Sequence, residues 1–217
     1  MTQRMWMAKL QKPIGSRIDV TGSSLLPREF YARDPRQVAP DLLGKVLVRR
    51  EGKQVRAGRI VEVEAYLGID DPAAHAHRGP TARNQVLFGP PGHAYVYFIY
   101  GFHYCLNISC EPEGRAGCVL IRALEPVVGL DLMYAARDLE PKHGRMTELR
   151  LLTSGPGRLA EAFSITRERD NGKDLTSERS DLQVMDDGFR PEKTATTVRI
   201  GITKAAEHPL RYVIAGN

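Results

Sequence analysis

The chain has 217 residues, 42% hydrophobic and 26% charged, an ordinary balance for a globular domain with a substantial core. Its formal charge of +5 favours an anionic partner such as nucleic acid, although many basic proteins bind none. Three cysteines, Cys105, Cys110 and Cys118, are odd in number and lack zinc spacing, and no apolar run suits a signal peptide or a membrane span.

Residues 1–24 mix polarity and end in Thr21-Gly22-Ser23-Ser24, which predicts a flexible N-terminal arm ahead of one domain over 25–217. Residues 25–45, with Pro27, Asp34-Pro35 and Ala39-Pro40, predict a short helix and a turn before Gly44. Lys45–Arg50 and Gln54–Leu67 read as two strands of a hairpin turned at Gly52. Alternation in the second places Val61, Val63 and Ala65 on one face, and Ile60, Glu62, Glu64 and Tyr66 on the other. Residues 68–92, rich in Gly, Pro and Asp, form a long loop of the kind that often carries function.

Ala94–Tyr100 and Phe102–Cys110 predict two strands around Gly101, and Cys118–Leu124 a third. Val127–Arg137 has helical spacing, with Leu130, Met133 and Tyr134 on one side. Residues 138–150 are charged and read as exposed. Ser154-Gly155-Pro156-Gly157 opens a helix over Arg158–Phe163, with Ser154 as a possible cap. Residues 166–181 alternate in charge and read as loop, and Thr196–Ile202 and Leu210–Ile214 read as closing strands. The fold class is α+β: a single mixed domain around a curved antiparallel β-sheet, open and Greek-key barrel-like, with peripheral helices rather than repeated βαβ units.

Several side chains carry chemistry. Glu64 is a carboxylate on a mostly apolar strand and the leading candidate for a general base, with Glu62 on the same face as a competitor. Tyr66 lies beside Glu64, and Tyr95 and Tyr97 share a face of another strand. Two such rings hold an extruded base at roughly 1–3 kcal/mol per stacked base, although strand tyrosines are more often cross-strand packing partners. Tyr100 sits at a turn next to Gly101, where a ring either protrudes as a wedge into a base stack or folds back on its hairpin. Arg122 lies in an apolar strand, and a buried arginine needs a carboxylate: Glu64, or Glu125 in a purely structural pair. His75 is placed to donate to a base edge or to water. Asp70, Asp71, His75 and His77 lack the spacing of a metal site. Asn107 either reads an exocyclic group or satisfies backbone. No lysine occurs between Lys53 and Lys142, so a glycosidic bond broken here is broken with water rather than through a Schiff base.

Assembled, these stretches resemble a known family. Arg59-Ile60-Val61-Glu62-Val63-Glu64-Ala65-Tyr66-Leu67-Gly68, Ala73-Ala74-His75, Arg83-Asn84, Tyr95 to Gly101, Asn107-Ile108-Ser109, Val119 to Pro126 and Ser154-Gly155-Pro156 recur in the order found in the alkyladenine (3-methyladenine) DNA glycosylases. The resemblance runs from about Leu26 to the C-terminus. It implies that Glu64 deprotonates a water held with Arg122, and that Tyr66 and Tyr97 sandwich the base with His75 opposite. It makes Tyr100 the intercalating wedge and Asn107 the residue that excludes guanine, and Arg83 is a candidate contact to the DNA backbone. It further implies double-stranded DNA containing damaged purines as partner, no cofactor, no metal, and hydrolysis without lyase activity. A monomer suits such a scanning protein, in the cytoplasm of a bacterium or the nucleus of a eukaryote. Two rivals stay open: a non-catalytic nucleic-acid-binding module on the same sheet, and an enzyme of small nucleosides. The pattern departs from the family at His103 and in the first two dozen residues.

Overall fold

Gln54–Tyr66 (β3) carries Val55, Ile60, Val61 and Val63 with no proline, a composition that suits a long pleated strand. In the computed structural model, which describes residues 22–99, 101, 103–140 and 146–216, this strand is the spine of the molecule. One edge of β3 is shared. Val46–Glu51 (β2) pairs with its first half through the turn at Gly52. Arg211–Ile214 (β9) pairs with Glu62–Glu64. The other edge takes Cys118–Val128 (β6) along nearly its whole length.

The remaining strands extend this frame. Ala94–Ile99 (β4) and His103–Ser109 (β5) form a hairpin, and β5 pairs with β6. Leu182–Asp186 (β7) pairs with β2 and with Ser24–Leu25 (β1), while Thr194–Thr197 (β8) pairs with β9. The sheet order is β1-β7-β2-β3-β6-β5-β4, with β9 and β8 added beside β3, and every pairing is antiparallel. The result is the expected mixed α+β domain, a sheet curled into a half-barrel.

Helices pack against this sheet. Arg28–Tyr31 (α1) and Pro35–Leu42 (α2) lead in, and Asp34 caps α2 by accepting from Arg36 N–H, with Pro35 at the first helical position. Leu130–Ala136 (α3), Met146–Thr153 (α4) and Pro156–Ala162 (α5) follow β6, and Arg167–Asp170 (α6) lies beyond. Leu42, Met133, Leu152, Leu159 and Phe163 are fully buried against Ile60, Val63 and Ile121, each such side chain contributing roughly 1.5–3 kcal/mol. Among the described residues no helix is long and apolar enough to cross a membrane. The three cysteines are free and buried.

The structure corrects several expectations. Strict alternation put Ile60 on the face of Glu64, yet Ile60 joins Val61, Val63 and Ala65 in the core. The register is irregular there: Ile60 faces Leu124, Glu62 faces Ala123, and Val63 faces Ile121. Such a bulge breaks the period-2 rule locally and re-aims side chains. β6 runs on to Val128, and α3 starts only after Gly129 at φ +75°, where an added Cβ would meet the Val55 carbonyl oxygen at 2.3 Å. Ser154 is not the cap of α5. Gly155 holds that position with Pro156 next, and Ser154 bridges Ala123. The end of 138–150 belongs to α4, while Asp138, Leu139, Glu140 and Arg150 are exposed as expected, and residues 141–145 lie outside the described residues.

Within 166–181 the charges are not simply solvated. Asp170 and Arg49 form an ion pair at 2.8 Å with both side chains fully buried. β7 was not foreseen, being five residues between polar stretches. β8 ends at Thr197, because Arg199 and Ile200 leave the sheet to make the contacts below. Residues 1–21 of the predicted arm lie outside the described residues, and Ser24 belongs to β1.

Candidate active site

After β3 the chain turns at Gly68 (φ +77°), where any Cβ would lie 1.9 Å from the Ala116 carbonyl oxygen. Only glycine fits both the conformation and the space. Asp71 then accepts from the Leu67 and Ala73 amides, at 3.2 and 3.0 Å. Buried Asn84 donates to the carbonyls of His75 and Gly79, at 2.9 and 3.1 Å. These bonds tie the long loop to itself and set His75 against the β4–β5 hairpin.

A cavity of about 470 Å³ opens between that loop, the sheet and α5, with Tyr66, His75, Tyr97, Asn107 and Arg122 among its lining residues. Glu64 lies behind the wall and is fully buried. Its Oε1 accepts from Ile200 N–H at 2.8 Å and sits 3.2 Å from Arg122 Nη1, while its Oε2 accepts from Tyr66 OH at 2.9 Å. Tyr66, Arg122 and Ile200 all line the cavity. Arg122 also donates through Nε to Glu62 Oε1 at 2.7 Å, and Arg211 Nε reaches the same oxygen at 2.7 Å. The partner of Arg122 is therefore both acids of the strand, and not Glu125.

Electrostatics separate the two acids. Burial would raise the Glu62 carboxyl, but hydrogen bonds from Arg211 and Arg122 outweigh it and hold that group below its ordinary value. Glu62 is committed to two arginines, which leaves Glu64 as the acid against the cavity wall. Burial, and then the Glu64 charge and hydrogen bond, push the Tyr66 phenol up, so Tyr66 stays protonated and donates. Burial pushes Tyr95 up to about 12. Desolvation and then the positive charge of Arg83 hold His75 below its ordinary value, so its imidazole is neutral at neutral pH.

The rings are packed as a unit. His75 Nδ1 lies 2.9 Å from Tyr95 OH. His75 and Tyr97 meet edge to face with centroids 4.5 Å apart, and exposed Arg83 lies 5.6 Å over the Tyr97 ring. Asn107 is buried, donating to the Tyr95 carbonyl at 3.2 Å, with Cys118 Sγ 3.8 Å from its Oδ1. Tyr100 lies outside the described residues, and its neighbour Gly101 has φ +76° with open space around it. Among the described residues no group of three or more His, Cys, Asp or Glu side chains converges as a metal site.

A family model described as methylpurine-DNA glycosylase matches residues 29–217. The chain belongs to that family. It is a DNA glycosylase. A protein of Koribacter versatilis with the provisional name 3-methyladenine DNA glycosylase is 62% identical over 192 residues, covering 88% of this chain and 90% of the relative. Proteins of Methanoculleus marisnigri and Burkholderia cenocepacia with the same provisional name are 51% and 48% identical, covering 96% and 89% of their own lengths and 88% and 89% of this chain.

The glycosylase also places beside the cavity two residues that the sequence alone did not flag. Arg199 is buried, bonds Asp71 through Nη2–Oδ1 at 2.9 Å and Nη1–Oδ2 at 2.5 Å, donates to the Ala65 carbonyl at 3.1 Å, and lies 4.7 Å over the Tyr66 ring. Ile200, next in the chain, supplies the amide to Glu64. This pair therefore clamps the 198–202 segment against β3 and the loop. Arg199 stands among Val198, Ile200 and Ile202, the same signal of a cation in an apolar run that singled out Arg122.

Proposed function

We propose that this glycosylase turns alkylated or deaminated purines out of duplex DNA into the aromatic cavity and hydrolyses the N-glycosidic bond with water activated by Glu64. Substrates of this class are 3-methyladenine, 7-methylguanine, hypoxanthine and ethenoadenine. The observation that carries the reading is the placement of Glu64. It is a fully buried carboxylate held by Tyr66, Arg122 and the Ile200 amide directly behind the cavity wall. Tyr66 O–H and Ile200 N–H occupy two of its about four lone-pair sites, with the Arg122 guanidinium 3.2 Å away as counter-charge, which leaves capacity to accept from a water.

In the reaction the C1′–N bond breaks with its electron pair leaving on the base. The water oxygen bonds C1′, and its proton passes to Glu64. The sugar becomes oxocarbenium-like, and the buried carboxylate stabilises that charge. Tyr66 and Tyr97 provide flat faces for the base, which is favourable for a cationic alkylpurine. Asn107, its amide held by Tyr95 and Cys118, discriminates against guanine. The enzyme acts as a monomer at the DNA, in the cytoplasm of a bacterium or the nucleus of a eukaryote. A duplex carrying one hypoxanthine, incubated with the protein and then heated in alkali, is cleaved at the lesion; an intact strand overturns the reading.

Among the described residues lining the cavity there is no lysine, and a lyase needs an amine for its Schiff base. Borohydride added during turnover is therefore expected to trap no covalent protein–DNA adduct. A trapped adduct refutes the water mechanism.

Tyr100 comes next in the sequence after Ile99, which ends β4 and lines the cavity with His103, and we assign it to the gap left by the extruded nucleotide. Tyr100→Ala should slow excision from a paired hypoxanthine and matter far less when the base is mispaired, because unstacking costs a few kcal/mol only where there is a stack to break. Tyr97→Ala should impair both substrates. Equal loss on both duplexes for Tyr100→Ala removes the wedge role.

A further inference from the structure

The Arg199–Asp71 pair is buried on both sides. Burying two charges costs about as much as their attraction returns, and an apolar pair of similar volume serves stability equally well. The position of the pair is more specific than its strength. The Arg199 guanidinium carbon lies 4.7 Å over the Tyr66 ring. Tyr66 is part of the cavity wall and Arg199 is not, so the guanidinium covers the face of the ring turned away from the cavity. The other face is left for a base. A cation over one face of an aromatic ring draws π density toward itself. The opposite face becomes less negative and holds a positively charged base less tightly, whereas a neutral base is nearly indifferent. Tyr97 carries a cation too, with Arg83 5.6 Å over its ring. Arg83 is exposed and water screens it, so the desolvated guanidinium of Arg199 has the larger effect. Asp71 offsets part of that field without cancelling it, because Arg199 is the member of the pair that stacks on the ring.

We propose that the Arg199–Asp71 pair is a specificity determinant: seated behind Tyr66, it withdraws part of the advantage that aromatic walls give to positively charged alkylpurines, and so opens the cavity to neutral lesions. The inference rests on the base-extrusion reading above. 3-Methyladenine and 7-methylguanine carry a positive charge while joined to the sugar, and hypoxanthine and ethenoadenine do not. Tyrosine faces with no cation behind them rank the first group ahead by charge alone. Arg199 acts through Tyr66 and touches no reacting atom.

The test reads a ratio. Single-turnover excision is measured for 7-methylguanine and for hypoxanthine, each opposite cytosine in the same duplex sequence. Taking the ratio within one preparation cancels the folded fraction and any general loss in the placement of Glu64. Arg199→Gln removes the cation and leaves Asp71. It should raise the ratio of cationic to neutral excision by at least about twofold, the lower end of what a cation over a ring contributes. Asp71→Asn keeps an acceptor for the Leu67 and Ala73 amides, which Asp71 bonds at 3.2 and 3.0 Å, and leaves Arg199 less compensated. It should lower the ratio by a similar factor. The double variant, Arg199→Gln with Asp71→Asn, strands no buried charge and decides the matter where either single variant fails to fold. It should raise the ratio, because the net field behind Tyr66 is that of the cation.

Opposite signs for the two single variants are the signature, since a purely structural role lowers both rates and moves both variants the same way. A ratio unchanged in the double variant, or shifted in one direction by both single variants, overturns the assignment. Failure here leaves alkali-labile cleavage at hypoxanthine intact, whereas failure of the glycosylase reading abolishes that cleavage in the unmodified protein.

Discussion

Glu64→Gln is expected to bind damaged duplex like the unmodified protein and to slow single-turnover excision by at least about 10²-fold, equivalent to roughly 2.7 kcal/mol of barrier. The substitution is nearly isosteric, and each existing hydrogen bond has a substitute. The amide oxygen can still accept from the Ile200 amide, which meets Glu64 Oε1 at 2.8 Å, and still faces the Arg122 guanidinium 3.2 Å away. The new NH₂ group can donate to the Tyr66 hydroxyl, which turns from donor to acceptor. Arg122 keeps its 2.7 Å bond to Glu62, so no buried cation is stranded. What is lost is the negative charge and the capacity to take a proton from water. The measurement is excision under single-turnover conditions beside affinity for the same duplex. A near-normal rate moves the role of base to Glu62 or elsewhere.

Asp71→Ala is expected to lower stability by about 3–5 kcal/mol, the usual cost of removing one partner of a buried ion pair. Arg199 and Asp71 have side chains 0% and 1% exposed, and the change also leaves the Leu67 and Ala73 amides without their side-chain acceptor. Because Arg199 braces the segment carrying Ile200 and lies over Tyr66, excision should fall too, at equal folded fraction. Denaturant titration checks the first outcome, and a loss below about 1 kcal/mol sinks it.

The pair also predicts an acid limit. Burial raises the Asp71 carboxyl, but bonds from Arg199 and two backbone amides outweigh it and leave it below its ordinary 3.8. The unfolded chain therefore binds the proton first. The stabilisation is complete above about pH 4 and disappears as pH falls below 3.8 toward the lower folded value. The stability difference between the parent and Asp71→Ala should shrink over that range.

Much of the site could be read from short stretches, because neighbours on a strand report directly on one another. Glu64 and Tyr66 are two residues apart, and their hydrogen bond follows from sharing a face. Arg122 had to find an acid because an apolar strand surrounds it. The β4–β5 hairpin and the loop after β3 were marked by Gly101 and by a run of Gly, Pro and Asp. Family resemblance added roles to these positions through the order of whole motifs.

Other features involve partners that chain neighbours do not report. Arg199 and Asp71 lie 128 positions apart and meet only because β9 pairs with β3 and carries the preceding loop over the sheet. Glu62 shares Arg122 and Arg211 because β6 and β9 flank the same length of β3 on opposite edges. Ile60 joined the core because a register shift with β6 overrode its own alternation. Thus local pattern determined the class of the fold, most of its strands and the chemical character of the cavity. Tertiary structure decided which acid each buried arginine neutralises, since that depends on strand order and register, which a one-dimensional pattern of polarity does not encode.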